Sequence, residues 1–165
     1  MTALQPQTSA SSSKPSSSRI EFRINGVPGA QGSKVQTRWG SMRESSQKVG
    51  PWRQAVMWTT ENEFHSPPIN DPVSVEITFF FARPKSHYGT GRNCAKLKDS
   101  APNHCTSSIH GDIDKLCRST LGGLAHRSCG CVLKDESLVV VLQCSKQYAS
   151  ADESTGALVK IQSLG

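Results

Sequence analysis

Three acidic positions and one arginine carry the most chemistry in this 165-residue chain: Asp112, Asp114, Arg118 and Asp135. Asp112 and Asp114 stand two apart in the run His110-Gly-Asp-Ile-Asp-Lys-Leu-Cys-Arg118, and the pair Asp135-Glu136 follows after an apolar-periodic stretch. On an extended segment, a period of two puts Asp112 and Asp114 on one face. Like charges held that close repel, so the pair calls for a cation or a proton between them. One reading is a hard divalent metal site, completed by Asp135 from a neighbouring strand. The plainer alternative is a solvated turn in which Asp114 N-caps the helix that follows. Asp71, Glu76 and Asp99 are further acids that could join such a cluster in space.

The six cysteines offer different chemistry. Zinc could be held by His104-Cys105, or by His126 with Cys129 and Cys131. However, Cys-x-Cys is not the knuckle spacing and no second pair follows at finger distance. Without a secretory signal, reduced thiols packed as small hydrophobes fit better than disulfides.

The elements that must position these residues can be read in order. Residues 1–18 are Ser, Pro, Thr and Gln with little to bury, a disordered leader; residues 19–165 form one domain. Ile20, Phe22 and Ile24 alternate as a half-exposed strand that stops at Asn25-Gly26. A Gly-rich loop runs on through Gly40, with Lys34, Arg38, Trp39 and Arg43 making it basic and aromatic. Phosphate contact and an ordinary solvated loop are both open there. It is no Walker loop, lacking Gly-Lys-Ser/Thr. Pro51 suits the first turn of a helix to about Phe64, with Trp52, Ala55, Val56 and Thr59 facing a sheet.

Val73, Val75, Ile77, Phe79 and Phe81 make the clearest strand, with Phe80 opposite. The aperiodic stretch to about Ser108 carries Arg83, Lys85, Arg92, Lys96 and Lys98 with Tyr88, which suits a nucleic-acid backbone. A short helix from near Asp114 bears Leu116, Thr120, Leu121 and Leu124, weakened at Gly122-Gly123 by roughly 1 kcal/mol per glycine. Leu138–Leu142 reads as a buried strand continuing towards Tyr148, and Ala157, Val159 and Ile161 as the last strand. The class is α/β: a mixed sheet with two packed helices. The net charge of +6 fits an anionic partner. No apolar run has the length of a membrane span or the character of a signal peptide.

Asp112-Ile-Asp114-Lys-Leu-Cys-Arg118, followed by Lys134-Asp135-Glu-Ser-Leu-Val-Val140, resembles the RusA family of Holliday junction resolvases, endodeoxyribonucleases of bacteria, phages and prophages. The resemblance extends to Gln31-Gly-Ser-Lys34, Arg83-Pro-Lys-Ser-His-Tyr, Leu97-Lys with Ala101-Pro, and Gly156-Ala, so it covers about residue 20 to the C-terminus. It implies Asp112, Asp114 and Asp135 as carboxylates holding Mg²⁺ or Mn²⁺, and Arg118 where the family usually has a catalytic lysine. It implies a homodimer with two symmetric sites that makes paired nicks across a four-way junction, acting in the cytoplasm of a bacterial or phage-infected cell. Lys34, Arg38, Arg83, Lys85 and Lys115 would contact the DNA. A branched-DNA-binding protein of this fold without cleavage is the alternative. Departures from the family pattern are Lys115 at a common Asn position, Gly122 at a frequent Asp, Gly111 before the first Asp, and the Cys129–Cys131 stretch.

Overall fold

The computed structural model describes residues 19–32, 34–44, 46–125 and 132–165. A four-stranded sheet in the order β1-β6-β4-β5 forms its centre. These strands are β1 (Arg19–Asn25), β4 (Val73–Phe81), β5 (Val139–Tyr148) and β6 (Gly156–Ser163). β6 pairs antiparallel with both β1 and β4, whereas β5 runs parallel to β4 on the far edge. A parallel neighbour needs a crossover, and the chain between β4 and β5 supplies it through helix α2 (Ile113–Leu124). Helix α1 (Val49–Glu63) packs beside α2.

The alternation read from the sequence holds in the three inner strands. Phe22 and Ile24 of β1, the five odd-numbered residues from Val73 to Phe81 of β4, and Ala157, Val159 and Ile161 of β6 are buried together. They meet Trp52 and Val56 of α1 and Leu116, Cys117 and Leu124 of α2, so both helices cover one sheet face. On the other face Phe80 is shielded by the Arg23 guanidinium, 4.3 Å from its ring centroid. There Glu76 accepts from Lys160 at 3.3 Å and lies 3.8 Å from Arg19, which removes it from any acidic cluster around Asp112.

Two expectations need correction. The Val139–Leu142 run does form a strand, but Val140 is 60% exposed and Val141 and Leu142 are also exposed. β5 is the sheet's edge, so no further strand covers it, and composition alone cannot tell an edge from a centre. The Gly-rich segment after β1 is not all loop either. β2 (Lys34–Gln36) and β3 (Met42–Glu44) pair as an antiparallel hairpin, which three-residue strands cannot announce by periodicity. The long segment after β4 contains three single 3-10 turns, at Lys85–His87, Gly91–Asn93 and Ser108–His110, and otherwise no regular element apart from a Tyr88–Leu97 bridge.

Candidate active site

Helix α2 presents the chemistry. Its first residue is Ile113 and its N-cap is Asp112, with extended backbone (φ −78°, ψ 143°). Asp112 and Asp114 therefore do not share a strand face: Asp112 precedes the helix and Asp114 lies in its first turn. Nor is Asp114 the cap. The chain is turned into this position by Gly111 at φ 79°, where a Cβ would also collide with that of Ala30. Only glycine serves there, which explains the departure from the family pattern. Lys146, late on β5, donates to the Gly111 carbonyl at 2.9 Å and fixes the same point.

The inner face of α2 is anchored by polar as well as apolar groups. Ser119 and Thr120 donate back to the Leu116 carbonyl, both at 2.9 Å, and Trp52 Nε1 donates to Thr120 Oγ1 at 3.0 Å. Gly123 lets the two helices approach closely, since a Cβ there would stand 2.8 Å from Val56. The glycine pair is thus a contact surface more than a weak spot. The segment after β1 is strapped on as well: Gln31 N donates to the Lys115 carbonyl at 3.1 Å, and Arg53 donates to Gln31 Oε1 at 2.8 Å.

The outer face of α2 and the adjoining part of β5 border an open cavity of about 410 Å³. It is lined by Asp114, Cys117 and Arg118 of α2, by Leu142 and Cys144 of β5, and by Glu136 from the 3-10 turn Glu136–Leu138. Asp114 and Arg118 are one helical turn apart and so share a face. Among the described residues Arg118 makes no ion pair, which leaves its guanidinium for a ligand.

Asp112 and Asp135 do not line this cavity. Asp112 takes the Lys115 ammonium at 2.6 Å. That hydrogen bond and the lysine's charge hold its carboxyl below the usual carboxylate range and push Lys115 up. Asp135 caps the 3-10 turn, its Oδ1 accepting from Ser137 N at 2.8 Å. Glu136, the neighbour, is the acid that faces the cavity. Sequence reasoning passed over it because the two acids are adjacent and no periodicity separates them. A cap preference for Asp over Glu was the available signal.

Among the described residues no three His, Cys, Asp or Glu side chains form a group ready to hold a metal. Magnesium nevertheless asks for little from a protein: one or two carboxylates, with waters and substrate phosphate completing the octahedron. Asp114 and Glu136, oxygen donors exposed in one cavity, fit that demand, and Asp112 is the N-cap at the positive end of α2.

The basic residues divide. Lys34 lies exposed on β2 and Arg38 in the turn of the β2–β3 hairpin, and Lys85 is exposed in its 3-10 turn. Arg83 is committed to structure, donating to the Pro102 carbonyl at 2.7 Å and stacking 4.1 Å from the Tyr148 centroid. That staple closes the long segment onto β5. The Phe81 ring, 4.4 Å away, stacks on His110, whose pKa is lowered by burial and then by Lys146, Lys48 and His87.

Cys105 and Cys117 are buried as expected of small hydrophobes, Cys144 is half-buried, and Cys94 is exposed; these four are free thiols. Cys117 shares a hydrogen bond with Cys144, which together with burial pushes the Cys117 thiol up. His104-Cys105 gathers no metal-holding group, and the zinc reading of His126, Cys129 and Cys131 lies outside the described residues.

A family model described as Endodeoxyribonuclease RusA matches residues 25–162. The chain belongs to the RusA family. The match spans β4, β5, nearly all of β6, α2 and the cavity but only the last residue of β1, and brings with it the family's endodeoxyribonuclease activity and its association with branched DNA junctions. Nucleases of this family are generally dependent on divalent metal. A comparison with curated proteins gave no match. No helix among the described residues is long and apolar enough to cross a membrane.

Proposed function

We propose that this protein is a Mg²⁺- or Mn²⁺-dependent Holliday junction resolvase that cuts a four-way DNA junction by paired symmetric nicks. The observation that carries the reading is the joint cavity of Asp114, Arg118 and Glu136 beside helix α2, inside the span that the family model matches. Asp114 and Glu136, with Asp112 alongside, would hold the cation. When bound, such an ion polarises the scissile phosphate and lowers the pKa of an attacking water. The chain's own groups do the rest. The N-terminal end of α2 favours a phosphate by its dipole and free N–H groups. Arg118 stabilises charge that develops on the phosphorane and leaving oxygen. A guanidinium is a charge and hydrogen-bond donor and not a general acid, so the leaving oxygen takes its proton from water. Lys115, released from Asp112, neutralises a neighbouring phosphate, and Lys34, Arg38 and Lys85 extend the basic track.

Paired nicks need two sites, and a homodimer supplies them. Val141 of β5, exposed on the edge strand but not part of the cavity lining, belongs to a surface that a second copy would cover, since unpaired edges invite pairing. The setting is the cytoplasm of a bacterial or phage-infected cell. One observation favours the second reading, a branched-DNA-binding protein without cleavage: Asp112 is already occupied by Lys115, and no three potential ligands converge among the described residues.

A labelled four-way junction incubated with the protein in Mg²⁺, Mn²⁺ or EDTA decides between them. Paired metal-dependent nicks that vanish with Asp114→Asn support the resolvase. Tight junction binding without nicks in either metal supports the binding protein. Light scattering of the purified chain tests the dimer.

A further inference from the structure

The β2–β3 hairpin stands apart from the main sheet and presents apolar side chains to solvent. Trp39 at its turn is 90% exposed, and Val35 and Met42 on its strands are also mostly exposed. Leaving an indole in water forgoes much of the stabilisation that burying it would bring. The turn that carries it is nonetheless well ordered by hydrogen bonds. Thr37 N donates to the Ser41 carbonyl at 2.7 Å, Gly40 N to the Thr37 carbonyl at 2.9 Å, and the Thr37 and Ser41 hydroxyls meet at 2.6 Å. Gly40 at φ 79° has the left-handed backbone such a turn needs.

Two further facts say what the indole meets. Its neighbours Lys34 and Arg38 are exposed cations, and with Arg43 against the single acid Glu44 the hairpin sequence is net cationic and complements an anionic strand. The hairpin also springs from the active helix, because Gln31, three residues before β2, is bonded to the Lys115 carbonyl in the first turn of α2. Eight residues separate Gln31 from Trp39, a span of at most about 28 Å. DNA held at Asp114 and Arg118 is within reach of the tip. An exposed aromatic flanked by cations is the arrangement that stacks on unpaired bases while the charges track phosphate.

We propose that Trp39 is a base-stacking wedge: it inserts against an unpaired or unstacked base at the branch point, and the hairpin thereby reads branched over linear DNA. The proposal rests on the nuclease reading for its place at the junction, but not for the stacking itself. At a perfectly paired four-way junction the only bases exposed to such a tip are those flanking the crossover.

The test uses the full chain, a fluorescein-labelled dT oligonucleotide, a linear duplex, and a four-way junction with 2-aminopurine beside the crossover. Trp39→Ala should weaken dT and junction binding roughly five- to a hundredfold, the effect of one base–aromatic stack. It should also abolish the change in 2-aminopurine emission that the parent protein causes, while duplex binding stays unchanged. Trp39→Phe should retain most of the effect, and Trp58→Ala, an exposed tryptophan on α1, should have none. A second readout guards against misfolding: in a Trp58→Phe background, acrylamide quenching of the Trp39 emission should fall when dT binds. Trp39→Ala that binds dT and junction like the parent, or quenching that DNA leaves unchanged, overturns the wedge even if junctions are cut. Trp39-dependent dT binding without cleavage of any junction upholds the wedge and removes the nuclease reading.

Discussion

Replacing Glu136 by Gln, set against Asp135→Asn, is the most informative single comparison. Glu136 faces the cavity with Asp114 and Arg118, whereas Asp135 Oδ1 is turned back to Ser137 N. An asparagine oxygen accepts that hydrogen bond as well as a carboxylate does, and the two residues are near equals as caps. Asp135→Asn should therefore keep the cap and leave cleavage within a few-fold. Asp135→Ala loses the cap and should cost about 1 kcal/mol. Glu136 is exposed, so its amide should be tolerated within about 0.5 kcal/mol. In the cavity, however, the substitution removes one of two anionic donors. The scale for deleting one preorganised electrostatic group from an active site is roughly 10²- to 10³-fold in rate, or about 3–4 kcal/mol. Single-turnover cleavage of a labelled junction, with denaturation curves for each variant, measures both quantities. Equal cleavage by Glu136→Gln and the parent, with Asp135→Asn inactive and folded, would refute the assignment and return the role to Asp135.

Other outcomes follow from the same structure. Arg118→Ala should lower single-turnover cleavage roughly 10²-fold with junction binding nearly kept, while Arg118→Lys should restore much of it, since charge alone suffices at that position; equal losses for both would indicate a bidentate arginine contact. Gly123→Ala places a Cβ 2.8 Å from Val56 and should cost about 1–2 kcal/mol net of its helix propensity, lowering Tm by several degrees. Gly122→Ala meets only the flexible Arg53 guanidinium at 3.2 Å and should be neutral or mildly stabilising, so a thermal melt of both variants checks the helix contact. Thr120→Val strands the buried Trp52 indole N–H and should cost about 1–3 kcal/mol in urea titration; an unchanged midpoint would mean the hydrogen bond is replaceable. Iodoacetamide mapped by peptide mass should label exposed Cys94 well before Cys105, whose pKa burial raises, and before Cys117.

Local chemistry decided much of this protein. Alternation from Val73 to Phe81 dictates a strand because a pleated backbone sends every second side chain to one side, and β1 and β6 follow the same rule. The spacing of Leu116, Thr120 and Leu124 likewise requires a helix, which puts Asp114 and Arg118 on the face left over. The family could be read from its ordered motifs for the same reason: the motifs are local. What depended on distant partners was not legible. Val139–Leu142 has the composition of an interior strand, yet it lies at the edge because β6 and β1 stack on the other side of β4. Gly111 and Gly123 look like weaknesses until Ala30 and Val56 arrive from elsewhere in the chain to claim the missing side-chain space. Which of Asp135 and Glu136 faces the cavity was settled only when α2 docked beside the turn and one of the two adjacent carboxylates became its cap. Sequence specifies which groups can bond; the approach of segments far apart along the chain selects which of them do.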